Sequence, residues 1–92
     1  MIKYQREYEK FIIERGVGSN DKVGDSIKAY ISYLNMVSKH LNKDINPKTL
    51  NSMKDLELLS AQLTGKVSLK TIKNYGSAMK QYIKMVSKLN LD

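Results

Sequence analysis

Lysines near the end of the chain are the residues whose type and spacing point most clearly to chemistry. Read as a helix at about 100° per residue, residues 68–89 place six polar side chains within an arc of roughly 90°: Lys70, Lys73, Ser77, Lys80, Lys84 and Lys88. Residues 66–92 contain six lysines and one aspartate, so they carry five of the seven net positive charges of the chain. No acidic residue lies between Lys66 and Asp92. This concentration predicts a surface for a polyanion such as the phosphate backbone of DNA.

Polar residues beside these lysines could add directional contacts. Ser68 and Thr71 stand where a helix would begin, and their hydroxyls and the free amides of a first turn could bind phosphate. Asn74 and Gln81 flank the lysines and could reach an adenine edge. The candidate DNA-binding residues are Lys66, Ser68, Lys70, Thr71, Lys73, Asn74, Ser77, Lys80, Gln81, Lys84 and Lys88. The alternative is a solvated helix face on which Ser68 and Thr71 serve only as caps.

Other chemistry has little support in this sequence. The absence of cysteine excludes disulfides, thiolate zinc sites and thiol catalysis. The single histidine, His40, is predicted to be a surface or boundary residue. No paired carboxylates, Ser/His/Asp set or glycine-rich phosphate loop is present. We therefore predict no catalytic residue, no metal and no cofactor, and no enzymatic activity for this chain on its own.

Tyrosines and methionines allow two interpretations. Tyrosines could act as stacking platforms for single-stranded bases, but most coincide with apolar positions at helical spacing, which favours packing in the core or at a subunit interface. These are Tyr4, Tyr8, Tyr30, Tyr75 and Tyr82. The methionines other than the initiator are likewise predicted to pack. Lys22, Lys28 and Lys39 could extend the basic surface, but Asp21 and Asp25 lie among them, which favours solvated lysines.

Helical periodicity runs through most of the chain and gives the elements that must position the lysines. It predicts a first helix over residues 3–15, ended by Gly16 and Gly18, and a polar loop over residues 19–21. A second helix is predicted over residues 23–42. Ile72, Tyr75, Met79, Tyr82, Ile83, Val86 and Leu89 form the predicted core-facing side of the final helix.

Capping signals divide the middle of the chain. Asn46 followed by Pro47 predicts an N-cap and the first residue of a short helical turn through Leu50. Ser52 is predicted to cap a third helix that Gly65 ends, and Ser68 to cap the final one. The end of that helix before Asp92 shows no convincing cap in the sequence.

The composition bounds the domain organisation. The 92 residues, of which 41% are hydrophobic and 27% charged, suit a single globular domain. No stretch shows the alternation of a strand, so we predict an all-α fold, a compact bundle of four to five helices. A long apolar run and a signal-like start are both missing, which predicts a cytoplasmic protein with no membrane partner.

The final helix resembles the last helix of the core-binding domain of tyrosine recombinases, the phage integrases. That family typically has Ser, two residues and Thr, followed by Ser-Ala-Leu-Arg and an aromatic residue. The similar segments here are Ser68-Leu69-Lys70-Thr71-Ile72 and Ser77-Ala78-Met79-Lys80-Gln81-Tyr82. Phe11 with Glu14-Arg15-Gly16, then Ser26 and residues 30–34, looks like the opening helices, and residues 45–63 are similar to the linking and third helices. The resemblance implies a SAM-like helical bundle that grips duplex DNA.

The departures from that family limit what the resemblance implies. The catalytic domain with its Arg, His and Tyr cluster is absent, Gly76 stands where a larger residue is usual, and Val23 stands where a polar group is frequent. Comparable N-terminal modules precede other mobile-element proteins, including restriction-type nucleases, phage origin-directed nucleases and phage-satellite replication initiators.

We therefore predict that residues 1–92 form the N-terminal module of a longer protein and bind double-stranded DNA. The module would direct an attached nuclease, replication initiator or recombinase of a phage or mobile element to its site, in the cytoplasm of a bacterial or phage-infected cell. A C-terminal catalytic or replication domain is the expected partner, and a homodimer would suit a palindromic site. The alternative is a protein-interaction or homo-oligomerisation domain.

Overall fold

Four helices make up the fold, as a computed structural model shows for residues 2–15 and 23–91, without the side chains of Arg15 and residues 23–26. They are α1 (Gln5–Arg15), α2 (Val23–Leu41), α3 (Met53–Leu63) and α4 (Leu69–Leu89). In this described part the extended backbone is limited to two isolated bridges, Ile2 with Ile45 and Thr64 with Val67. The predicted all-α fold is confirmed. The loop predicted at residues 19–21 lies outside the described residues, as do Gly16 and Gly18, which were predicted to end the first helix, and Lys22.

The two longest helices, α2 and α4, form the centre of the bundle. They contact each other, and each also contacts α1 and α3. Within the described residues α1 and α3 do not contact one another, so they lie on opposite sides of the central pair. The radius of gyration, 12.2 Å, is close to the ~12 Å expected for a compact domain of this length.

The N-terminus of α1 differs from the prediction. The helix begins at Gln5 rather than at residue 3, because Tyr4 has a left-handed φ of 63°. The segment before it is held by tertiary contacts: the Lys3 amide donates to the Ile45 carbonyl at 2.8 Å, and the Lys3 carbonyl accepts a bond from the Tyr82 hydroxyl at 2.6 Å. These contacts to distant residues override the local helical pattern.

The predicted turn between α2 and α3 is confirmed. The Asn46 side-chain oxygen accepts bonds from the amides of Lys48 and Thr49, at 2.8 and 3.0 Å, and the Leu50 amide donates to the Asn46 carbonyl at 2.9 Å. Pro47 and Leu50 are fully buried, so this single turn is anchored in the core.

Helix caps confirm three of the predicted boundaries and correct a fourth. The side chains of Ser52 and Ser68 cap α3 and α4, and Gly65 follows α3 with a φ of 90°. The C-terminus of α4 is capped after all. Asn90 takes a left-handed conformation (φ 55°), and the Leu91 amide donates to the Val86 carbonyl at 3.0 Å, which is the bonding pattern of a Schellman motif.

Burial confirms most of the predicted packing residues. Tyr8, Tyr75 and Tyr82 are buried, and the side chains of Tyr4 and Tyr30 are half-buried against the core. Two expectations were wrong. Met53 is 48% exposed, because it begins α3 at the edge of a groove, and Leu89 is 45% exposed, because Leu91 beyond the cap packs on the core instead. None of the described helices combines the length and apolarity needed to cross a membrane.

Candidate nucleic-acid interface

The two sides of α4 differ sharply in burial. The side toward the core consists of Tyr75, Ala78, Met79, Tyr82, Ile83, Met85 and Val86, all of them buried. The opposite side exposes Lys70, Lys73, Ser77, Lys80, Lys84 and Lys88, which we call the lysine face. With a rise of about 1.5 Å per residue, the stretch from Lys70 to Lys84 is ~21 Å long. The amphipathic helix read from the sequence is therefore confirmed.

Two buried tyrosines fix the position of α4 in the bundle. The Tyr8 hydroxyl on α1 donates to the Ala78 carbonyl at 2.9 Å, and the Tyr82 hydroxyl donates to the Lys3 carbonyl. The two rings also contact each other, with centroids 5.7 Å apart. Because Ala78, which accepts one bond, and Tyr82, which donates the other, both lie on the apolar side of α4, the two bonds hold the helix rotation that turns the lysine face outward.

Burial also changes the acidity of these two tyrosines. Loss of water around the Tyr8 hydroxyl raises its pKa well above the usual value, and the nearby Tyr30 hydroxyl adds to the shift. Burial likewise raises the pKa of Tyr82, with smaller contributions from Tyr4 and Glu7. Both groups therefore stay protonated donors throughout the neutral range.

The start of α4 combines a cap with exposed polar groups. The Ser68 hydroxyl oxygen accepts a bond from the Thr71 amide at 3.2 Å and lies 2.9 Å from the Thr71 hydroxyl. Ser68 is exposed and Thr71 half-buried. Lys66 is exposed in the preceding turn, where its amide donates to the Leu63 carbonyl. The structure thus brings Lys66, Ser68 and Lys70 together around one helix end, where the helix dipole favours anions.

The remaining candidates lie at the two edges of the lysine face. At about 100° per residue, Lys73 and Lys80 form the edge toward α3, while Asn74, Gln81 and Lys88 form the other edge. Asn74 is exposed and Gln81 half-buried. The Ser77 hydroxyl, near the middle, donates to the Lys73 carbonyl of its own helix at 3.4 Å.

Lys88 differs from the other lysines of the face. Its ammonium nitrogen lies 5.8 Å from the centre of the Phe11 ring, within the range of a cation–π contact. The side chains of Glu7 and Glu14 line the same hollow. Within the described residues, by contrast, no hydrogen bond or ion pair holds the ammonium groups of Lys70, Lys73, Lys80 and Lys84. As far as the described part of the chain shows, these four can bind an external anion.

A groove between α3 and α4 borders the lysine face, and the sequence did not reveal it. Its apolar surface comes from Met53, Leu56 and Ile72, and Lys73 and Lys80 line it from the side of α4. The cavity measures about 360 Å³, and none of its lining residues is acidic. Its existence depends on how α3 crosses α4, which helical periodicity does not specify.

Other polar residues do not join this surface. Lys28 and Lys39 are exposed on α2, and His40 is half-buried, as a boundary residue would be. The ammonium group of Lys43 donates to the Gln62 side chain at 3.1 Å. Among the described residues, no group of three or more His, Asp or Glu side chains could hold a metal ion.

Comparisons with protein-family models, with curated proteins and with solved structures found no match to this chain.

Proposed function

We propose that this chain is a double-stranded DNA-binding module and that α4 is its DNA-binding helix. One observation carries the proposal: α4 buries seven side chains of its apolar side while exposing, along ~21 Å, four lysines that make no hydrogen bond or ion pair within the described residues, with no acidic residue between Lys66 and Asp92. An extended row of ammonium groups suits the regularly spaced charges of a phosphate backbone better than it suits a small anion.

The proposed mechanism is electrostatic positioning. Lys66, Lys70, Lys73, Lys80 and Lys84 neutralise phosphates, and the condensed counterions they displace drive binding. The Ser68 hydroxyl and the start of α4 hold a further phosphate in the positive end of the helix dipole. Asn74, which is exposed, contacts base edges, and Gln81 does so from the same edge of the lysine face.

In the cell, this module would target an activity rather than perform one. We propose that it belongs to a phage or mobile-element protein in which it brings an attached nuclease, replication initiator or recombinase to a DNA site, in the cytoplasm of the bacterial host. A homodimer would match a palindromic site and bury further apolar surface.

A salt titration of binding to a labelled random-sequence duplex tests the proposal. With five phosphate-neutralising lysines, log affinity should fall linearly with log salt at a slope of about −4 to −5. Duplex retention that is missing even at low salt would contradict the proposal.

The second candidate is a protein-interaction or oligomerisation domain. Its support is the exposure of large apolar side chains away from the lysine face, among them Ile13 at 55% and Leu58 at 55%. Such a domain would associate through apolar contacts, so its affinity would depend weakly on salt. Self-association measured by sedimentation, without any duplex binding, would favour this candidate.

A further inference from the structure

Gly76 occupies a position that the packing of this chain does not explain. It lies in the middle of α4, where glycine is the least favourable residue after proline because it leaves the backbone free to unfold. A Cβ atom built on Gly76 would meet nothing within 4 Å. Its φ is not left-handed, since Gly65 is the described glycine with a positive φ. Neither close packing nor backbone conformation therefore requires glycine here.

The missing side chain opens the groove between α3 and α4. Gly76 lines that groove between Lys73 and Lys80, with Met53, Leu56 and Ile72 supplying the apolar surface. An object in the groove would touch the backbone of α4 at Gly76 and would lie within reach of both lysines.

We infer that one sugar–phosphate strand of the bound DNA lies in this groove and approaches α4 most closely at Gly76. The inference rests on the proposed function and adds to it the path of one strand. The apolar faces of two or three deoxyriboses would pack on Met53, Leu56 and Ile72. Lys73 and Lys80, about two helical turns apart, would neutralise phosphates on either side. The absence of any acidic lining residue favours a polyanion over a neutral or basic partner.

This strand path gives the two edges of the lysine face different roles. The edge toward α3 grips the backbone, which positions the protein without reading sequence. The middle and the far edge, with Asn74 and Gln81, are then directed toward the neighbouring groove of the duplex. Lys88, held against α1 by the Phe11 ring, lies outside the strand path.

Filling the groove tests this inference. Gly76→Leu places a branched side chain in the open space, and Ser32→Leu makes a comparable change at an exposed position of α2. Binding of both variants to a labelled 20-base-pair duplex is followed by fluorescence anisotropy over a salt series. We expect Gly76→Leu to lower the affinity on the order of tenfold and to reduce the salt slope by about two, because two phosphate contacts are lost. Ser32→Leu should bind as the parent does.

Gly76→Ala separates a docking role from a folding role. It adds only a methyl group that meets nothing in the chain, so it should raise the melting temperature through helix propensity while weakening DNA binding. A variant that is more stable but binds DNA less tightly is the result expected if the groove holds a DNA strand.

The outcomes distinguish the strand path through the groove from the DNA-binding function on which it rests. Gly76→Leu binding like the parent, while reversal of Lys73 and Lys80 abolishes binding, would overturn the strand path and leave the DNA-binding function standing. A parent chain that retains no duplex at low salt would overturn both, and would leave the groove to a protein ligand with acidic and apolar side chains.

Discussion

An exposed lysine attracts a phosphate through water, so its contribution depends on which other charges surround it. Lys84 and Lys88 lie one turn apart on the lysine face and have the same intrinsic chemistry. Lys84 lies among lysines, whereas Lys88 lies over the Phe11 ring beside Glu7 and Glu14. Lys10 lines this hollow too, but the two carboxylates offset the charges of Lys10 and Lys88, so Lys88 should attract an approaching polyanion less strongly than Lys84 does.

This contrast predicts unequal effects of two similar substitutions. Lys84→Ala should reduce the slope of log affinity against log salt by about one, the value for a lost phosphate contact. Lys88→Ala should change the slope by clearly less. The two variants have the same net charge, so each serves as the control for the other. Equal slopes would show that the α1 acids do not influence Lys88.

The two anchoring tyrosines predict a loss of stability in alkaline solution. Burial raises the pKa of Tyr8 and Tyr82 above the unfolded-state value of 10.0, so the folded protein holds these protons more tightly than the unfolded chain does. The contribution of these two tyrosines to the free energy of unfolding is complete below pH ~10. It is lost as the pH rises further, because the unfolded state then releases protons that the folded state keeps.

Phenolate absorbance and helical circular dichroism, measured together against pH, check this expectation. We expect two of the six tyrosines to ionise only as helicity is lost. Ionisation of all six near pH 10, with the helices intact, would contradict it.

Helix boundaries follow from short-range chemistry and were largely predictable. Ser52 and Ser68 were recognisable caps because a hydroxyl before an apolar run can accept a bond from an amide of the first turn. The cap at Asn90 was missed, although Asn tolerates the left-handed region and Leu91 after it is apolar. The groove between α3 and α4 could not be predicted, since it depends on long-range packing rather than on local pattern.

Substitution of the α4 cap separates capping from DNA contact at Ser68. Ser68→Asp keeps a good N-cap and adds a charge that the helix dipole favours, so thermal stability should be unchanged or higher. The same carboxylate would repel a phosphate, so affinity for duplex DNA should fall several-fold. Ser68→Ala is the companion variant and should cost about 1 kcal/mol of stability. An undiminished affinity in Ser68→Asp would show that Ser68 only caps the helix.

The bundle as a unit presents its charge on one side. The central position of α4, between α1 and α3 and against α2, buries its apolar side on three neighbours and leaves the lysine face to solvent. The concentration of charge was visible in the sequence, as was the side of α4 that turns outward. The strand path through the groove and the separation of Lys88 from its neighbours required the arrangement of all four helices.

The location of the charge, rather than its amount, is the central claim, and a matched pair of double reversals tests it. Lys73→Glu with Lys80→Glu changes the lysine face, and Lys28→Glu with Lys39→Glu changes exposed lysines of α2. Each pair lowers the net charge of +7 by four. Affinity for a duplex at low salt should fall on the order of 100-fold for the α4 pair and a few-fold at most for the α2 pair, with equal helicity in both. Equal losses in the two variants, or an undiminished affinity in the α4 variant, would contradict the assignment of α4 as the DNA-binding helix.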